Sequence, residues 1–150
     1  MPKHRIRSLA ICVFSHAGCI LASQGYDPLK DETFYRPLGG QIEFGEHAAD
    51  ALRRELLEEI QAEVTALRYL ETLENIFVFN GKPGHEIVMV FDGELVDQGL
   101  YALPVIQRTD AHSGEPIQAY WKHLGEFGPG QPPLYPTGLL ELLLKNKPPA

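Results

Sequence analysis

Apolar residues run without a break from Leu9 to Phe14, a pattern expected of a strand covered on both faces, and the strand is read over Arg5–Phe14. Ser15-His16-Ala17-Gly18 then predicts a turn and Cys19–Ser23 a returning strand. Gln24–Glu32, with Gly25, Asp27 and Pro28, reads as a polar loop. Phe34–Leu38 reads as a short extended piece running into Gly39-Gly40. The spacing next changes to that of a helix: Ala48, Ala49, Leu52, Leu56 and Ile60 form one stripe and predict a helix over about 47–60. Val64–Asn80 is apolar enough for two strands or one long bent strand. Gly81-Lys82-Pro83-Gly84 marks a turn, and His85–Val96 forms a strand with an apolar centre. Gln118–Leu124 is a last strand. Tyr135–Lys145, with Pro136 at its start and a leucine-rich face, closes the chain as a helix over about 135–145, leaving a frayed Lys147–Ala150 tail. The sum is an α+β domain in which a mixed β-sheet carries two helices.

The polar side of the first helix carries more information than its apolar side. Glu55, Glu58 and Glu59 stand at i, i+3 and i+4 and so share a face. Like charges at that spacing weaken an isolated helix by about 0.2–0.5 kcal/mol per pair. Spaced at 100° per residue, these three occupy an arc beside Leu52, Leu56 and Ile60, which puts the carboxylates at the rim of the core. Unpaired carboxylates are costly there, and a hard divalent cation that prefers oxygen ligands relieves the cost. Gly39-Gly40 just upstream lets the backbone approach a ligand closely.

Composition narrows the picture further. The chain has 150 residues, one domain's worth, with ordinary apolar (44%) and charged (22%) fractions. Its net charge of −7, with no long basic run, argues against a nucleic-acid duplex as partner. The polar N-terminus does not read as a secretory leader and no stretch is long enough to span a membrane, so a cytoplasmic protein is expected. Cys12 and Cys19 are accordingly expected as reduced core residues, not as a disulfide.

Taken together, Gly40, Glu46, the Arg54-Glu55 pair, Leu56, Glu58 and Glu59 resemble the signature of the Nudix hydrolases, G-x5-E-x7-R-E-U-x-E-E-x-G-U, where U is a bulky aliphatic residue. Pro37-Leu38-Gly39-Gly40 and Glu43-Phe44-Gly45-Glu46 are similar to the family as well. Two positions depart: Gln61 stands in place of the last glycine and Ala62 in place of the larger aliphatic residue. The loss of that glycine predicts an altered exit from the helix, with no ligand group lost.

The resemblance implies an α/β/α sandwich and hydrolysis of a nucleoside diphosphate linked to another moiety, water attacking phosphorus with Mg²⁺ or Mn²⁺ as cofactor. It also implies that Glu55, Glu58 and Glu59 bind metal, with the Gly39 carbonyl as a further ligand. Arg54 would orient the acids, with Glu46 in support. The general base is open between Glu55, Glu86 and Glu115. For the substrate, Gly40, Arg36, Glu86 and Phe79 are candidate contacts. Phe77, Tyr120 and Trp121 could stack a base, and Arg5 and Arg7 could meet phosphate. A nucleoside triphosphate, intact or oxidised, is the favoured substrate. Dinucleoside polyphosphates and nucleotide sugars are the alternatives, and a Nudix-like binding module without turnover is the rival of another class. A homodimer is compatible with the sequence.

Overall fold

The computed structural model describes residues 4–146, so the Lys147–Ala150 tail lies outside the described residues. Nine strands and two helices follow in the order β1 (Ile6–Val13), β2 (Ser15–His16), β3 (Cys19–Asp27), β4 (Glu32–Arg36), β5 (Leu38–Gln41), α1 (Ala48–Ile60), β6 (Val64–Phe79), β7 (Lys82–Leu95), β8 (Val105–Thr109), β9 (Pro116–His123) and α2 (Leu139–Lys145). Short 3-10 turns cover Gln98–Ala102 and Leu124–Glu126. One sheet has the order β5-β1-β7-β6 and the other β2-β3-β9-β8, with β4 paired to β3.

The apolar run in β1 is explained by its place between two cores. Ala10, Cys12 and Phe14 join Leu52, Leu56 and Ile60 of α1. Leu9, Ile11 and Val13 join Leu139, Leu142 and Leu143 of α2. Alternate side chains of one strand thus serve opposite helices, the α/β/α arrangement expected. β1 pairs in parallel with β7, Arg7 beside Glu86, and antiparallel with β5, Ala10 beside Gly40. These two pairings bring Gly39 and Gly40 of β5 and the middle of β7 to the same central strand.

Several expectations need adjustment. Gln24–Glu32 is not one loop: β3 continues to Asp27, and only the turn between β3 and β4 is irregular. Both oxygens of Asp27 are used in pinning turns, accepting from the N–H groups of Leu29, Lys30 and Asn80. The stretch read over Val64–Asn80 is one bent strand, Val64–Phe79, with register shifts between Thr65 and Arg68 and between Tyr69 and Glu71. The closing helix begins at Leu139, not 135, because Gly138 at φ 93° lies in the left-handed region and cannot continue a right-handed helix. β8 was not anticipated. It is a short edge strand following Pro104 in which only Ile106 is fully buried, too sparse a pattern to stand out. Cys12 and Cys19 are free, the first buried and the second half-buried. Burial raises the Cys12 thiol far above its ordinary range. No helix among the described residues is long and apolar enough to cross a membrane.

Candidate active site

Helix α1 buries Ala51, Leu52, Leu56 and Ile60, while Glu55, Glu58 and Glu59 flank that stripe at half-buried positions. The carboxylates therefore lie at the rim, as their spacing requires. Gly40 sits opposite Glu55: a Cβ built on it would fall 2.4 Å from the Glu55 carboxyl carbon. Gly39, at φ 148°, would place a Cβ 2.1 Å from the Ala10 carbonyl oxygen. The first glycine of the pair permits the close β1–β5 contact, and the second leaves room for an acid.

Arg54 organises the cluster. Its Nε and Nη2 donate to the two oxygens of Glu46 at 2.8 and 2.9 Å. Nη1 donates to Glu55 at 2.9 Å and to Glu58 at 3.4 Å, and Nη2 also reaches the Gln41 carbonyl at 3.0 Å. A planar guanidinium with several fixed donors can serve all these acceptors together, and an ammonium cannot. Hydrogen bonds from Arg54 and from the Glu43 N–H hold Glu46 down at about 2. Arg54 itself is raised beyond its ordinary range by the Glu46 hydrogen bonds first.

Glu59 is placed differently. Its Oε1 accepts from the Gly39 N–H at 3.0 Å, and no arginine hydrogen bond reaches it. Burial, then the charge of Glu55, push its carboxyl up to about 8. Burial also raises Glu55, against the pull of Arg54. Asp110, half-buried in the turn between β8 and β9, adds negative charge beside both. Sequence reasoning missed it along with β8. The available signal was an Asp-x-x-x-Gly turn, in which Asp110 Oδ1 accepts from the His112 and Ser113 N–H groups.

The donors suit a hard divalent cation: only carboxylate oxygens, crowded, partly desolvated and short of positive charge. Among the described residues no three acid, histidine or cysteine side chains stand in a finished ligand cage. Arg54 Nη1 bonds both Glu55 and Glu58 in this conformation.

Gln61, the departure from the signature, closes α1 in the left-handed conformation (φ 52°, ψ 43°) that glycine would adopt without strain. Its side-chain amide donates to the Glu58 carbonyl and the Thr109 carbonyl, each at 3.0 Å. The Ala111 N–H also donates to the Glu58 carbonyl, at 2.7 Å. The expected change in the helix exit is therefore not seen in the backbone, which leaves the helix as it would with glycine; what Gln61 adds is a side-chain tie from the helix end to the turn that carries Asp110.

Beyond the acids lies a cavity of about 310 Å³ whose lining includes Arg7, Arg36, Glu86, Phe34, Phe77 and Phe79. Five of the substrate candidates, Arg7, Arg36, Phe77, Phe79 and Glu86, meet here. Arg36 links the two regions: its Nη2 is 3.8 Å from Glu86 Oε1, and its charge counteracts the upward shift of Glu59. Tyr120 and Trp121 are not in the cavity. Tyr120 packs edge-on against Tyr35, and Trp121 stacks on Tyr101 at 5.2 Å and donates to the Leu100 carbonyl. Glu115 is exposed, Arg5 is exposed, and His85 points to the side of β7 opposite Glu86.

The NUDIX domain family profile matches residues 3–136. No curated protein sequence matches the chain. Among solved structures, the E. coli ORF135 protein is 23% identical, with 98% of this chain and 96% of that one covered and a TM-score of 0.58. A MutT NUDIX hydrolase from Burkholderia pseudomallei is 17% identical over 97% and 100% of the two chains, with a TM-score of 0.59. An ADP compounds hydrolase is 16% identical over 95% of this chain and 74% of that one, with a TM-score of 0.61. At these identities the structures speak for a shared fold, and the profile match over most of the chain, with the acid cluster in place, shows that the chain belongs to the Nudix hydrolase family.

Proposed function

We propose that the protein hydrolyses a pyrophosphate bond in a nucleoside triphosphate, intact or oxidised, with Mg²⁺ or Mn²⁺ bound by Glu55, Glu58 and Glu59. The observation that supports this reading is the meeting of two unlike regions at Arg36: a crowded carboxylate cluster on one side and an aromatic-walled cavity on the other. A bound divalent cation would offset the phosphate charge and make water a better nucleophile. The chain's own residues supply the rest. Arg54 holds Glu55 and Glu58 in fixed orientation, and Glu46 holds Arg54. Glu55, whose carboxyl group lies against Gly40 at the strand end, accepts the proton of the attacking water. Glu86, paired with Arg7 inside the cavity, and Glu115, exposed, are less suited to that role.

The cavity's 310 Å³ is near the lower end of the ~300–1,000 Å³ usual for ligand pockets, and matches one nucleoside better than two. This favours a mononucleotide over a dinucleoside polyphosphate. The test is release of phosphate or pyrophosphate from a nucleotide panel with Mg²⁺ or Mn²⁺, comparing the wild type with Glu58→Gln. Metal-dependent turnover lost in the variant supports the assignment. An inactive wild type removes the enzymatic reading, and an equally active variant removes the role of Glu58.

A further inference from the structure

The reaction proposed above does not use the most thoroughly buried acid in the molecule. Glu86 lies on β7 on the same face as Val88 and Val90, and it is 0% exposed. Its Oε2 accepts a hydrogen bond from Arg7. Its Oε1, buried against the cavity, has no hydrogen-bond partner, and Arg36 Nη2 at 3.8 Å is too far to be one. Buried acceptors are nearly always satisfied, so an unmet one lining a ligand-sized cavity marks where a ligand donor belongs.

The cavity walls describe the rest of that ligand. Phe34 lies across Gly25 and Phe77 lies across Gly84, as cross-strand pairs. A Cβ on either glycine would come within 2.4 or 2.3 Å of the ring it faces. The glycines therefore let both rings lie close to the backbone. Phe79 meets Phe34 edge to face at 5.9 Å. Aromatic surfaces of this kind receive a flat ring.

We propose that Glu86 is a specificity-determining residue that selects an amino-bearing nucleobase, accepting a hydrogen bond from the exocyclic N–H, with Arg36 beside it to meet the adjacent ring nitrogen or keto oxygen. This rests on the nucleotide-hydrolase reading for the identity of the ligand, and on Oε1 and the aromatic walls for its chemistry. Adenine, cytosine and guanine each present an amino N–H next to an acceptor. A keto oxygen in place of the amino group sets one lone pair against another at Oε1.

The experiment has two arms. Calorimetric binding of nucleoside monophosphates without metal compares CMP with UMP, AMP with IMP and GMP with XMP; none contains a bond this enzyme class cuts. The base that binds best should carry the amino group and exceed its keto counterpart on the order of 10- to 100-fold, the range of one hydrogen bond to a charged group. Glu86→Gln, whose amide can donate as well as accept, should reduce that ratio below about threefold. In the second arm, kcat/KM for the matching triphosphates should follow the same order, with the change in KM. Equal binding within every amino/keto pair by the wild type overturns the proposal without any variant, and so does a preference that survives intact in a folded Glu86→Gln. Base discrimination among monophosphates with no triphosphate cut would sink the hydrolase reading alone. Turnover without base preference would sink the role of Glu86 alone.

Discussion

Replacing Gln61 by alanine and by glycine separates two opposing contributions at the end of α1. The residue holds a left-handed conformation that costs a non-glycine side chain about 1–2 kcal/mol. In return its amide makes two hydrogen bonds, to the Glu58 and Thr109 carbonyls, both exposed to solvent. Such bonds contribute about 0.5 kcal/mol each, at the low end of the usual range, because water replaces them. Gln61→Ala keeps the strain and loses both bonds, so it should destabilise by about 1 kcal/mol. Gln61→Gly relieves the strain, loses the same bonds, and adds a glycine's unfolded-state entropy of about 0.5–1 kcal/mol. These terms nearly cancel, and its stability should lie within about 0.5 kcal/mol of the wild type. Urea unfolding resolves the difference, and thermal melts should show alanine about 2–4 °C lower. Equal destabilisation by both substitutions would refute the strain argument. No loss with alanine would show that the clamp between α1 and the Asp110 turn contributes nothing. The metal requirement should be unchanged in both variants.

Two further outcomes follow from the acid cluster. Arg54→Lys removes the paired contact with Glu46 and cannot span Glu46 and Glu55 together; activity should fall on the order of 10- to 100-fold with a higher Mg²⁺ requirement, read from kcat over a metal titration. Full activity at low Mg²⁺ would show that the fork geometry is dispensable. Glu59 titrates at about 8 when folded against an ordinary 4.5, so between those values the folded chain binds a proton that the unfolded chain has lost. Stability without divalent cations should therefore fall as pH rises from about 4.5 to about 8. Glu59→Gln should flatten that slope in urea titrations with chelator, and a slope unchanged by the substitution would place the titration elsewhere.

The helix and its acids were legible because period and charge agreed: Leu52, Leu56 and Ile60 fix which way Glu55, Glu58 and Glu59 face. β1 was equally plain, since both of its faces are buried. What escaped the sequence depended on contacts distant along the chain. Asp110 belongs to the site only because β8 and β9 pair at the far end of the fold and the Gln61 amide ties their turn to α1. Glu86 stood out as a polar residue at the start of an apolar strand, but its burial with one oxygen unpartnered requires Arg7, in register with it on β1. Tyr120 and Trp121 take the role that strand aromatics take more often than not, packing against the two cores away from the cavity. Pro136 suggested an early helix start, which Gly138 delays.

The separation of the acid cluster from the aromatic cavity bears on how such a protein can diversify. The carboxylates come from one helix and its preceding turn, while the cavity is assembled from β1, β3, β4, β6 and β7, and the two meet at Arg36. Substitutions that reshape the cavity can accumulate in strands without disturbing the helix. A lineage can then exchange one nucleotide for another while its chemistry stays intact. Two proteins of this kind that share every acid of the signature need not share a substrate, and comparison of their cavity-lining strands is the better guide to what each one cuts.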